Sequence, residues 1–133
     1  MRHGLAEEQQ AGAVLVAVEN FLLEIGDEEW VDQGCLLLSD KDRSIQLYSY
    51  TQPTKVPYDV IDQLQQLTGE NYPLSWSGYS TTVGSLMSQK LGVEPSEWHL
   101  AACGIHRGEL IKNAAKSLAH AYKLAVKSKI DQV

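Results

Sequence analysis

Apolar residues near the start of the chain recur every three or four positions, a spacing typical of an amphipathic helix. Residues 5–25 carry this pattern, and Gly26, which adopts positive φ readily at a helix end, follows directly. The apolar positions are Ala11, Val14, Leu15, Val18, Phe21, Leu22 and Ile25. The pattern therefore predicts an N-terminal helix over residues 5–25.

The pattern changes to a period of two between residues 34 and 50. The run 34–39 is apolar, 40–44 is polar, and 45–50 alternates apolar and polar positions. Alternation of this kind is typical of a strand with one buried face. We therefore expect a small antiparallel β-hairpin over residues 34–50, with residues 70–80 as a candidate third strand.

Helical spacing returns after Pro57, which suits the first position of a helix over residues 57–68. Residues 82–130 predict a further helical region, with either Thr81 or Thr82 as the residue that caps its start. The chain is thus expected to have an α+β fold. In this fold the N-terminal helix and the small antiparallel hairpin pack against a mainly helical C-terminal half.

Length and composition favour one compact domain over residues 1–133. A chain of 133 residues falls in the usual size range of a single domain, and no apolar run approaches the roughly 20 residues of a membrane helix. Cys35 and Cys103 form neither a CxxC pair nor a disulfide framework. We therefore expect a soluble cytoplasmic protein that makes no contact with a membrane.

The formal net charge of −6 conceals a basic C-terminal segment, because residues 106–133 hold six basic and only two acidic side chains. Lysines recur there at helical spacing along one face, at Lys112, Lys116, Lys123 and Lys127. A solvated face is the common explanation of such a stripe. Contact with phosphates, or pairing with the acidic N-terminal region, are the alternatives.

Residues 83–104 place a small residue, Ser88, four positions before a turn glycine, Gly92, with apolar residues at fixed offsets beyond it. The stretch resembles the helix-turn-helix pattern of bacterial DNA-binding regulators. The resemblance implies that a second helix enters a DNA groove. DNA contacts would then come from Ser96, His99, Lys112, Lys116, Lys123 and Lys127. The alternative is a helical corner buried within the domain.

Aromatic residues are unevenly chosen and unevenly placed. The chain has six Tyr and three Trp but one Phe, and most of them fall between residues 48 and 79. Tyr and Trp combine an apolar body with a polar tip, which suits partner-binding surfaces. Within an irregular segment, Tyr72, Trp76 and Tyr79 are therefore the candidate partner-binding residues.

Candidate chemistry is sparse. His99, Cys103 and His106 share a helical spacing that could hold zinc or pair a thiol with a base, but Gly104 interrupts it. We therefore expect no metal, no cofactor and no enzymatic activity. The expected function is a small protein-binding module of the adaptor, inhibitor or regulator type, whose partner the sequence does not identify. A DNA-binding regulator is the alternative, and a homo-oligomer is compatible with either.

Overall fold

The computed structural model describes residues 12–74 and 78–131. Strands come first within these residues, and helices follow. The strands are β1 (Val14–Gly26), β2 (Glu29–Asp40), β3 (Ile45–Tyr50) and β4 (Thr54–Val56). The α-helices are α1 (Tyr58–Thr68), α2 (Val83–Leu91), α3 (Trp98–Cys103) and α4 (Arg107–Asp131), and a 3-10 helix at Pro95–Glu97 precedes α3.

The predicted N-terminal helix is wrong, because Val14–Gly26 is strand β1. Residues 5–11 of that prediction lie outside the described residues. The apolar run is dense enough to fit a period of two as well as a helical period, and its exposure alternates from Val14 to Val18. Valine at every second position favours a strand, since β-branched side chains are stiff and pack well on a pleated surface. Pairing with β2 then decides the conformation.

The sheet is antiparallel, with the order β1-β2-β3, and β4 also pairs with β2. The hairpin predicted over residues 34–50 is present as β2 and β3, with Cys35 opposite Tyr50. The additional strand is β4 rather than residues 70–80, whose described members form turns and loop. The fold is α+β as expected, but it begins with strands.

The described residues divide into two compact units. Unit 1 contains residues 12–21, 33–52 and 110–131, and unit 2 contains residues 22–32, 53–74 and 78–109. Strands β1 and β2 each contribute residues to both units.

The core of unit 1 forms where one face of the β2–β3 hairpin meets α4. Leu36 and Leu38 of β2 alternate with residues on the other face, and Ala114 and Leu118 of α4 lie one helical turn apart. Ile45 completes the buried cluster. Partly buried residues surround it at Leu47, Ile111, Tyr122, Ala125 and Val126. The helix thus covers β2 and β3.

A polar contact anchors α4 to the turn between β2 and β3. The Tyr122 hydroxyl donates to Asp40 Oδ2 at 2.6 Å, and Arg43 Nη1 donates to the same oxygen at 3.1 Å. The hydrogen bond from Tyr122 holds the pKa of Asp40 below its ordinary value, and the neighbouring Arg43 acts in the same direction. The same carboxylate raises the pKa of Tyr122.

The core of unit 2 brings together β4, α1, α2 and α3. Its buried residues are Val56, Val60, Ile61, Leu64, Val83, Leu86, Met87 and Trp98. Thr82 caps α2, because its side-chain oxygen accepts from the Ser85 amide at 3.1 Å. Gly92, with φ of 69°, ends α2 in the left-handed region that glycine adopts at no steric cost. No helix in the described ranges combines the length and the hydropathy needed to cross a bilayer.

Candidate functional site

The face of the β2–β3 hairpin that points away from α4 carries no charged side chain. Cys35 and Leu37 of β2 occupy this face, directly opposite Tyr50 and Tyr48 of β3. We call these four residues the open face. None of them belongs to either core cluster. The neighbouring positions on the same side of the two strands are also uncharged, at Gln33, Ser39 and Gln46.

The two tyrosines are the most exposed part of the open face. Tyr48 is 56% exposed and Tyr50 is 57% exposed, whereas Cys35 and Leu37 are half-buried beside them. Gln46 Nε2 donates to the Tyr48 hydroxyl at 3.1 Å. An apolar base with two exposed tyrosine rings offers both apolar contact area and hydroxyl groups for hydrogen bonds.

The sequence contained a signal for the open face. Residues 45–50 alternate between buried or half-buried positions and exposed ones, and Tyr48 and Tyr50 share the exposed phase with Gln46. A strand with one buried face predicts that phase. This exposed phase, and not the aromatic content of the irregular segment 72–79, is the signal that identifies Tyr48 and Tyr50.

The predicted partner-binding residues lie in the segment that follows α1. Tyr72 is half-buried and Tyr79 is 36% exposed, while Trp76 lies outside the described residues. Tyr79 borders a shallow open depression along the last turns of α1, with polar neighbours that include Gln65 and Glu70. That these three aromatic residues form one site stays a prediction.

Residues 83–104 form α2, the 3-10 helix and α3, but α3 is poorly suited to a DNA groove. Ser96 is exposed, as base contact requires. His99, in contrast, is 4% exposed, and its Nε2 lies 2.9 Å from Asp32 Oδ2. Trp98 is also buried, and α3 has six residues. His99 is therefore part of the interior of unit 2 and is not available for base contact, contrary to the expectation.

The lysine stripe lies along one exposed side of α4, as its helical spacing predicts. Lys112, Lys116, Lys123 and Lys127 are all exposed. A rotation of 100° per residue puts them within an arc of about 60°, opposite the side of α4 that packs on the sheet. No ion pair to any of them occurs within the described residues.

The candidate metal or thiol site, His99 with Cys103 and His106, does not assemble. His99 contacts Asp32, Cys103 Sγ lies 3.8 Å from Thr54 Oγ1, and His106 Nε2 is exposed at 3.6 Å from Glu97. Over the part of the chain that the structure describes, no three His, Cys, Asp or Glu side chains are arranged to hold a metal ion.

Comparison with known proteins assigns no family, since no protein-family model matches the chain and no solved structure shows significant similarity to it. The geometry of the described residues therefore carries the functional argument.

Proposed function

We propose that the protein is a non-enzymatic protein-binding module, of the adaptor, inhibitor or regulator type, and that the open face holds the partner. The observation that carries the proposal is the pair of exposed tyrosines, Tyr48 and Tyr50, on a face of β2 and β3 that has no charged side chain. Tyrosine is enriched among the few residues that dominate the binding energy of protein interfaces.

The chemistry of the open face favours a particular kind of partner. The chain has a net charge of −6, yet the side chains on this face of β2 and β3 in unit 1 are all uncharged. Depletion of charge at the centre of a patch, with aromatic residues enriched, is the composition of a protein–protein interface core. The expected partner therefore presents an apolar, uncharged surface of another protein.

Site-specific photo-crosslinking in the native host tests the proposal. A photoreactive phenylalanine analogue replaces Tyr48 in one strain, Tyr79 in a second and Lys123 in a third. All three positions are exposed, so each analogue samples a different surface of a folded chain. Mass spectrometry of the crosslinked product then identifies the partner, and the purified partner is titrated against the unmodified chain.

The three positions separate the competing surfaces. The proposal predicts a discrete crosslinked protein from position 48 that also binds the purified chain. Crosslinking to a discrete protein from position 79 alone would instead favour the segment that contains Tyr72, Trp76 and Tyr79. Crosslinking to one protein from position 123 alone would move the binding surface to the lysine stripe.

A second candidate function, binding of DNA, retains one supporting observation. Lys112, Lys116, Lys123 and Lys127 form an exposed basic stripe on α4 that could contact phosphates. The burial of His99 leaves Ser96 as the exposed member of the predicted base-contacting pair. A gel-shift experiment with duplex DNA at about 50 mM salt tests this function, since phosphate contacts are strongest at low salt. No shift there would reject it.

We also propose a cytoplasmic location. Its support is that Cys35 and Cys103 are both free thiols, as in proteins of reducing compartments. Fluorescence imaging of a tagged chain in its host tests this.

A further inference from the structure

Strand β1 forms one edge of the sheet. It pairs with β2 on one side, and no other described strand pairs with it. β1 is thirteen residues long and contains neither Lys, Arg nor Pro. Natural proteins usually protect a sheet edge with lysine, proline, a bulge or a very short strand, because unpaired backbone N–H and C=O groups accept a further strand. Residues 14–18 of β1 carry neither a charge nor a proline, and the acidic residues of the strand, Glu19 and Glu24, follow them.

The side chains beside this edge form an apolar strip. Val14, Val16 and Val18 share one face by alternation, and they are 41%, 57% and 42% exposed. Asn20 shares the alternation phase of these valines, and a Cβ built at Gly34 of β2 would lie 3.6 Å from Asn20 Oδ1. Gly34 in turn shares its face of β2 with Leu36 and Leu38, which pack under α4. The valines therefore lie on the face of the sheet that α4 covers at β2 and β3. The buried cluster under α4 draws its strand residues from β2 and β3, so these valines remain uncovered.

From these two features we infer that β1 is a self-association edge, where a second copy of this chain adds its own β1 in antiparallel orientation. An unpaired strand edge specifies an extended strand as its occupant, since only a strand satisfies the row of backbone groups. The valine strip further requires that this strand be apolar on the same face. The first half of β1 meets both requirements itself.

The sequence of β1 is self-complementary around Val16. Antiparallel pairing about a two-fold axis at this residue places Val16 opposite the second copy's Val16 and Val14 opposite its Val18. Leu15 then lies opposite the second copy's Ala17 on the other face. β-branched residues opposite one another are favourable cross-strand pairs, and no like charges meet in this register. The two strips of valine become one apolar surface.

The first test measures the mass of the full chain by analytical ultracentrifugation at concentrations from micromolar to millimolar. The inference predicts a dimer, with a mass of twice the 14.7 kDa of one chain. Val16→Lys should shift the mass to that of the monomer, because a lysine at the edge opposes its own symmetry mate. Gln46→Lys is the matched control, since it adds the same charge at an exposed position of β3, the strand on the opposite side of β2.

Three outcomes would overturn the inference: a monomeric wild-type chain at the highest concentration, a dimer that survives Val16→Lys, or a dimer that Gln46→Lys dissociates. A changed circular dichroism spectrum would mean that Val16→Lys does not fold as the wild-type chain does. In that case hydrogen exchange of the wild-type chain tests the inference instead. Amides of β1 that point away from β2 should exchange more slowly as concentration rises. Exchange that does not depend on concentration would contradict the inference. This self-association is independent of any partner on the open face.

Discussion

At the scale of single residues, the contact between His99 and Asp32 in unit 2 is the most buried hydrogen bond between two side chains in the described residues. The exposed fractions of the two side chains are 5% and 12%, and the His99 ring also lies against Trp98 with centroids 3.8 Å apart. A buried polar group that loses its hydrogen-bond partner keeps its desolvation cost. This contact therefore acts as a structural element of unit 2.

Replacing His99 with Ala should lower the free energy of unfolding by about 1–3 kcal/mol, because Asp32 loses a buried hydrogen-bond partner. His99→Gln should cost less, since the amide also carries a donor. Chemical denaturation measures both variants. His106→Ala is the control, because His106 is exposed and should change stability by less than about 0.5 kcal/mol. Equal losses for His99→Ala and His106→Ala would show that the buried contact does not stabilise the fold.

The hydrogen bond between Tyr122 and Asp40 should give a pH-dependent contribution to stability. Tyr122→Phe should lower the melting temperature most between pH 3.8 and 10.0, the ordinary pKa values of the two groups. The deficit should shrink as pH falls through the lowered pKa of Asp40, and also as pH rises through the raised pKa of Tyr122. Thermal unfolding at a series of pH values measures this.

Tyr48→Phe is the matched control for the Tyr122 variant. It removes a hydroxyl whose neighbour is the exposed Gln46 and not a carboxylate, so its effect should be small at every pH. A Tyr122→Phe deficit that stays constant across the whole pH range would contradict the assignment of the Tyr122 hydroxyl to ionised Asp40.

Residue spacing predicts whether some of these side chains are buried or exposed, and it fails for others. The stripe on α4 that packs on the sheet, and the lysines opposite it, follow from helical spacing alone. The burial of His99 does not, because its partner Asp32 is 67 positions away in sequence. A local pattern carries no information on such a long-range contact.

At the scale of elements, the start of α2 shows how one side chain fixes a boundary. The sequence left Thr81 and Thr82 as equal candidates for the cap. The structure selects Thr82, whose Oγ1 accepts from the Ser85 amide at 3.1 Å. An N-cap side chain satisfies an amide that has no partner within the helix.

Thr82→Ala should therefore lower the free energy of unfolding by about 1 kcal/mol, whereas Thr82→Ser should retain most of the stability because serine also caps. Thr81→Ala is the control on the adjacent residue, and it leaves the cap intact. Urea denaturation compares the three variants. A larger loss from Thr81→Ala than from Thr82→Ala would show that Thr81, and not Thr82, caps the helix.

Helices and strands differed in how well their patterns identified them. Proline and glycine punctuate the helical segments, and α1 and α2 end where glycine follows. Strand β3 has the clean alternation of a half-buried strand. The apolar run of β1 satisfies both periods, so spacing alone predicts a helix there; the alternating valines and the long-range pairing with β2 favour the strand.

At the scale of the whole molecule, two strands connect the two units through the backbone. β1 and β2 each run through residues of both units. A continuous strand cannot unfold in one unit without disturbing its backbone pairing in the other. If residues 1–133 form one domain, the two units should therefore unfold together in a single cooperative transition.

Denaturation should show one transition with the same midpoint for two probes. Trp30 and Trp98 report on unit 2 by fluorescence, and pulse-labelled hydrogen exchange at the amides of residues 110–131 in α4 reports on unit 1 as denaturant is added. Coincident curves are the signature of two-state unfolding. Separate midpoints for the two probes would show that the units unfold independently.

The proposal that matters most for the whole molecule is that it binds another protein through the open face. The most direct measurement is the affinity of the partner crosslinked from position 48 for Tyr48→Ser and Tyr79→Ser, by titration calorimetry. Tyr48→Ser should weaken binding by about 2 kcal/mol, or roughly thirtyfold, with the melting temperature unchanged, while Tyr79→Ser should bind as the wild-type chain does. Equal affinity of Tyr48→Ser and the wild-type chain would contradict the claim.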